Sequence, residues 1–256
     1  MAGILTRSRL HLLAPTLWPS GRIWVGVGHG YPCWVQPAAI LFDMDGTLVD
    51  TEHVWLEGEI LTMATLGGTW TPADQAVCLG GPLERVADYM VAKSGTDTSS
   101  DVVGSRLIAT METLFRREDP TWQPGARELL TAACSAGVPT ALVSASWRDL
   151  MDAVTEAVVR GFGFDPFTVT VAGDEVSHTK PHPRPYWQAA AALGVDIANC
   201  VVIEDSPTGV ASGQASGAFV IAVPHIAAVQ ADSRTVVVSS LSEVTLDRIS
   251  DWMTPS

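Results

Sequence analysis

The sequence predicts an α/β protein, a Rossmann-like parallel sheet core with a helical bundle inserted near its start. Three observations point there. Short runs rich in valine and isoleucine, without polar alternation, recur between helical stretches of about ten residues, which is the pattern of strands covered on both faces. Between residues 51 and 122 no strand pattern occurs, only apolar residues at helical spacing. Several of the strands end on carboxylates or hydroxyls, where an open parallel sheet binds its ligands. A chain of 256 residues is long enough for one large domain with a smaller insert.

In chain order, residues 1–37 hold Arg7, Arg9 and Arg22 but no acid, and the first carboxylate is Asp43. Pro15 and Pro19 interrupt the apolar run that follows Arg7 and Arg9, so the segment reads as a loosely ordered extension rather than a signal peptide, with an organellar transit peptide as the alternative its basic, acid-free composition also fits. Ile40-Leu41-Phe42 suits a buried strand. In the insert, Val54 to Leu66 gives one helix, stopped by Gly67-Gly68, and Pro82 opens a second that runs to Gly95. Val102 to Arg117 gives a third. From Pro124-Gly125 helices and strands alternate: helix 126–136, strand 140–144, helix 147–159, strand 168–171, helix 185–193, strand 200–205, helix 208–216 and strand 219–223. Thr235 to Val238 adds an edge strand, and Leu241 to Trp252 a closing helix.

Composition excludes some partners. A net charge of −13 disfavours nucleic acid and anionic membranes, and no apolar run approaches the roughly 18 residues that span a bilayer. Cys33, Cys78, Cys134 and Cys200 are widely spaced and form no Cys-x-x-Cys pair; Cys78, Cys134 and Cys200 sit in apolar surroundings and read as small buried hydrophobes, and a reducing cytoplasm is the simpler setting.

The chemistry concentrates at four strand ends. Ile40-Leu41-Phe42-Asp43-Met44-Asp45-Gly46 ends a strand on two aspartates of the same side. Crowded carboxylates repel unless a cation lies between them or one is protonated, and a hard ion such as magnesium, bringing a phosphate, suits them. Ser144 and Ala145 follow the next strand, where a hydroxyl, an amide and a helix N-terminus can hold a phosphate oxygen. Lys180 stands in a loop stiffened by Pro181 and Pro183. His178 and His182 read as ordinary loop residues. Glu204 and Asp205 end a further apolar strand, a costly place for ionised acids without a cation or donors.

These residues carry a resemblance. Asp43-Met44-Asp45-Gly46-Thr47-Leu48-Val49-Asp50 resembles the first motif of the haloacid dehalogenase superfamily, mostly phosphatases and phosphomutases. Ser144, the Lys180-Pro181-His182-Pro183 run, and Glu204-Asp205 are similar to its second, third and fourth motifs, in the same order. The resemblance implies that Asp43 attacks phosphorus to form an aspartyl-phosphate, and that Asp45 protonates the leaving oxygen and then activates water. Ser144 and Ala145 would hold the phosphate, and Lys180 would neutralise it. Magnesium would sit on Asp43, the Asp45 carbonyl, Glu204 and Asp205.

It also implies a cap at residues 51–122 on a core of 38–50 and 123–256, joined through hinge strands at Asp50-Thr51-Glu52 and Thr121 to Pro124. The expected activity is hydrolysis of small phosphomonoesters, sugar phosphates foremost, by a cytoplasmic monomer or weak dimer. Trp55 stands where β-phosphoglucomutase-like sequences carry histidine, and Arg85 lies near the place of their cap arginine. Trp55 is shared with bacterial hexose-phosphate phosphatases of the deoxyglucose-6-phosphatase kind, and both residues are candidates for substrate contact. A mutase is the alternative, and a non-catalytic regulator on the same scaffold a third reading.

Overall fold

The computed structural model describes residues 36–78, 83–117, 119–224 and 227–254. The expected extension at 1–37 lies almost wholly outside them. Six parallel strands form one sheet: β1 (Ala39–Phe42), β2 (Thr140–Val143), β3 (Val169–Val171), β4 (Cys200–Glu204), β5 (Phe219–Ala222) and β6 (Thr235–Val237). Their order is β3-β2-β1-β4-β5-β6. The expected α/β class is therefore the observed one. β1 is central, with Ile40 beside Thr140 on one flank and Val201 on the other. The order of strands reverses between β1 and β4, and at such a switch point the carboxyl ends of neighbouring strands leave a crevice.

Alternate residues of each strand supply two separate cores. Ile40, Phe42, Leu142, Val201 and Ile203 join α5 (Ala126–Ser135), α6 (Arg148–Phe162) and α9 (Leu246–Met253) on one face. Leu41, Ala141, Val143, Val202 and Val220 pack with α7 (Arg184–Leu193) and α8 (Pro207–Ser216) on the other. Burial on both faces explains why these strands show no polar alternation.

Between β1 and α5 the chain forms α1 (Glu52–Thr65), α2 (Pro72–Cys78), α3 (Leu83–Ser94) and α4 (Ser100–Arg117). Three helices were expected here. The additional one, α2, is seven residues long, too short for its periodicity to register. Its signal is Thr71-Pro72-Ala73-Asp74, where the Asp74 carboxylate accepts from the Thr71 amide at 2.9 Å and proline fills the first turn. Pro82, expected to open the following helix, lies outside the described residues.

Two further boundaries move. Glu52 belongs to α1 rather than to a hinge strand, and pairing falls earlier, with Val49 bridged to Trp122. The Asp50 amide donates to Thr121 O, and the Gln123 amide to Leu48 O. The closing helix is split into a 3-10 turn at Leu241–Glu243 and α9, because Ser240 and Thr245 each cap a separate start. No helix among the described residues is long and apolar enough to cross a membrane.

Candidate active site

The loop after β1 is shaped by its own backbone. The amides of Leu48 and Val49 both donate to Met44 O, and the Gly46 amide donates to Val49 O. Gly46 has φ of 80°, and a Cβ there would meet Asp205 Oδ2 at 2.4 Å. Only glycine lets this turn pass so close to the acid at the end of β4. The turn leaves Asp43 buried and sends the Asp45 side chain elsewhere.

Asp43, 6% exposed, is met by the Lys180 ammonium at 2.5 Å. Lys180 also lies 2.6 Å from Glu204 Oε1 and donates to Val143 O at 2.8 Å. Its amine is thereby fixed across the ends of β1, β2 and β4. Carboxylate oxygens of Asp43, Glu204 and Asp205 lie within 4.8 Å of one another, the one such group among the described residues. Burial, then Glu204, push Asp43 well above its ordinary value, and Lys180 pulls it back. Asp205 is raised to about 7 by burial and Glu204, while Thr47 opposes the shift with a hydrogen bond at 3.2 Å. For Lys180 burial works to lower the amine, but Asp43 and Glu204 outweigh it and raise it above the usual range. Three acids against one amine leave an excess of negative charge on hard oxygen donors, which is the donor chemistry a divalent cation such as magnesium takes.

Glu204 is fully buried and already engaged. Oε1 accepts the Tyr186 hydroxyl at 2.6 Å as well as Lys180, and Oε2 accepts from Ser206 at 3.3 Å. Ser206 also caps α8, accepting from the Gly209 amide at 3.0 Å. A Cβ on Gly209 would fall 1.9 Å from the Glu204 carboxylate, so α8 starts flush against it.

Asp45 gathers a second set of partners. Oδ1 accepts from Thr51 at 2.7 Å and from the Trp55 indole at 3.5 Å. Oδ2 accepts from Ser144 at 3.3 Å and from Ser146 at 2.8 Å. Ser144 in turn accepts the Ser146 amide at 2.9 Å, which folds the loop after β2 around its own hydroxyl. Ala145 is exposed at the tip of that loop. Arg85 is exposed on α3 and donates to Val77 O at the C-terminal turn of α2.

The strand-end residues singled out from sequence therefore meet, and Trp55 joins them through Asp45 rather than through a free ring face. The hydroxyls of Thr51, Ser146 and Tyr186 were not foreseen. Ser-Ala-Ser after an apolar strand was a usable signal for Ser146. Tyr186 had only its place in the helix following the lysine loop. His178 and His182 stack on each other with ring centroids 4.8 Å apart.

Residues 40–223 match the haloacid dehalogenase-like hydrolases. The chain belongs to that family. Hexitol phosphatase B of Escherichia coli K12 is 34% identical over 217 residues, spanning 82% of this chain and 95% of the relative. Protein CbbY of Rhodobacter capsulatus is 31% identical over 206 residues, 73% of this chain and 85% of its own. Among solved structures, a variant of CbbY from Rhodobacter sphaeroides in complex with xylulose-1,5-bisphosphate superimposes with a TM-score of 0.68 at 26% identity. That match covers 81% of this chain and 96% of the other. This haloacid dehalogenase-like hydrolase thus shares nearly the full length of its relatives, and the sheet described above is their common frame.

Proposed function

We propose that this haloacid dehalogenase-like hydrolase is a magnesium-dependent phosphatase for small phosphomonoesters of sugars or polyols, acting through an aspartyl-phosphate on Asp43. The observation that carries the proposal is a buried Asp43 paired with Lys180 inside a three-acid cluster, with a second carboxylate, Asp45, two residues on. Lys180 draws the raised Asp43 carboxyl back toward its ionised form and lends positive charge where two anions must meet. Asp43 attacks phosphorus, the ester oxygen leaves with a proton from Asp45, and Asp45 then takes a proton from the water that releases phosphate. Ser144 and the Ala145 amide bind the phosphoryl oxygens. Asp43, Asp205 and the Asp45 carbonyl would hold the magnesium, with Glu204 beside them, and the ion would offset the charge that builds on the transferring group.

The inserted helices, residues 51–122, act as a cap over the core formed by 38–50 and 123–256. An indole N–H donates but cannot accept a proton, so Trp55 cannot relay one as a histidine at its place could. This favours hydrolysis over phosphomutase transfer. The names of the relatives, with hexitol phosphatase foremost, support the polyol or sugar class. The same reading has the protein act in the cytoplasm as a monomer or weak dimer, without nucleic-acid or membrane partners.

Asp43→Asn tests the proposal. It should lower kcat by at least about 10³-fold while circular dichroism stays unchanged, since the nucleophile is lost but not the fold. Near-normal turnover of sugar phosphates by the purified variant would sink it. Removing divalent ions with EDTA should abolish wild-type activity, and adding magnesium should restore it.

A further inference from the structure

Lys180 is the one buried residue of an otherwise exposed turn: Thr179, Pro181 and His182 beside it face solvent. Apolar burial therefore does little to fix the main chain there. A flexible four-carbon stem would not by itself hold an ammonium on Asp43, Glu204 and Val143 O at once.

What fixes the turn converges on His182. Its amide donates to Thr179 O at 3.0 Å and closes the turn around Lys180. Its carbonyl accepts the Ser212 hydroxyl at 2.8 Å. Its ring Nδ1 accepts the Arg184 amide at 3.1 Å, at the first turn of α7. The ring also lies against His178 and meets Trp187 edge-on, with centroids 6.1 Å apart. Trp187 in turn donates to Ser216 O in α8. One residue thus ties the turn to both helices that cover this face of the sheet. Ser212 is the less ordinary of its partners. A helical serine commonly bonds back to the carbonyl four residues earlier, as Ser94 and Ser105 do here. Ser212 is fully buried, and its hydroxyl crosses instead to a loop 30 residues away in the chain.

We propose that His182 is a positioning residue for Lys180, and that the Ser212 hydroxyl is the tether holding it to α8. Neither touches the reacting atoms. The assignment deepens the phosphatase reading and rests on it. A small displacement of the ammonium weakens charge stabilisation at the transferring group, and so lowers kcat, while substrate binding stays nearly intact.

The chain holds two lysines, Lys93 and Lys180, so the placement of the second can be read without turnover. The test acylates wild type, Ser212→Ala, His182→Ala and His182→Asn with acetic anhydride and maps the modified lysines by mass spectrometry. Kinetics on sorbitol 6-phosphate and glucose 6-phosphate are measured beside it. Asparagine keeps a side-chain acceptor for the Arg184 amide. Relative to Lys93, whose side chain is 31% exposed, Lys180 of the wild type should be strongly protected. Both alanine variants should speed its acylation about threefold or more and lower kcat to a similar degree, with KM within about twofold. His182→Asn should stay within about twofold of wild type in both measurements. Unchanged Lys180 labelling, or unchanged kcat, in the alanine variants overturns the assignment. Faster labelling of Lys93 as well does so too, since it marks general loosening, and so does an asparagine variant no better than alanine. If the wild type hydrolyses neither phosphoester, the phosphatase reading fails, while the labelling still decides whether His182 holds Lys180.

Discussion

Tyr186 is fully buried, and its hydroxyl shares Glu204 Oε1 with the Lys180 ammonium. Burial and the neighbouring acids hold the phenol well above its ordinary value, so it stays a donor. Tyr186→Phe should leave Glu204 short of one charge-assisted hydrogen bond and cost about 1.5–3 kcal/mol in urea unfolding. Because Lys180 then answers alone to two acids, kcat should fall with it. An unchanged unfolding midpoint would count against this account. Asp43, Asp45, Glu204 and Asp205 were legible beforehand from acids paired at the ends of apolar strands, and Lys180 from its proline-framed loop, each read together with the resemblance to the family motifs. Tyr186, Thr51 and Ser146 were not, since hydroxyls are common and their partners are distant in the chain or hidden by its turns. Arg85 was put forward by its proximity in sequence to an expected place, and one of its N–H groups donates to Val77 O.

Among elements, the two loops that carry Ser146 and Lys180 are stapled together. The Gly173 amide donates to Ser146 O at 2.8 Å, and a Cβ on Gly173 would meet Ala145 O at 2.1 Å. At the first turn of α6, Arg148 donates through its amide to Asp174 at 2.9 Å and through its guanidinium to Glu175. Glu175 also accepts the Ala172 amide. This pair is partly solvated, so breaking it should cost less than about 1 kcal/mol of stability. Arg148→Met should nevertheless lower kcat/KM severalfold, as the loop after β2 loses its register to the lysine loop, and Glu175→Gln should do less. Gly173→Ala should damage both activity and stability. Steady-state kinetics set beside urea unfolding separates these outcomes. Strands and long helices were readable because their apolar periods differ, whereas α2 and the break before α9 depend on single caps that a periodic pattern passes over.

At the scale of the molecule, one apolar core takes in the α5, α6 and α9 side of the sheet together with residues of α1–α4, and α4 packs on α6. Unfolding of the insert and of the sheet should therefore be coupled, and Glu59 gives it a pH signature. Burial raises its folded value to about 7, above the ordinary 4.5, so the folded state holds this proton more tightly. The associated stability is complete below pH 4.5, is lost as pH rises toward 7 and is level beyond. The full span, discounted for partial solvation, is about 2 kcal/mol. Urea unfolding of wild type minus that of Glu59→Gln, from pH 4.5 to 8, should trace this fall, since the other titrating groups cancel. A flat difference would contradict it.

Asp45 is knotted to both parts of the chain, by two serine hydroxyls from the sheet side and by a hydroxyl and an indole from the start of α1. Any swing of α1 against the sheet must stretch two of those four ties and spare the others. The carboxylate thus works as a gauge of where the helix stands: its freedom to rotate reports the angle between α1 and the sheet.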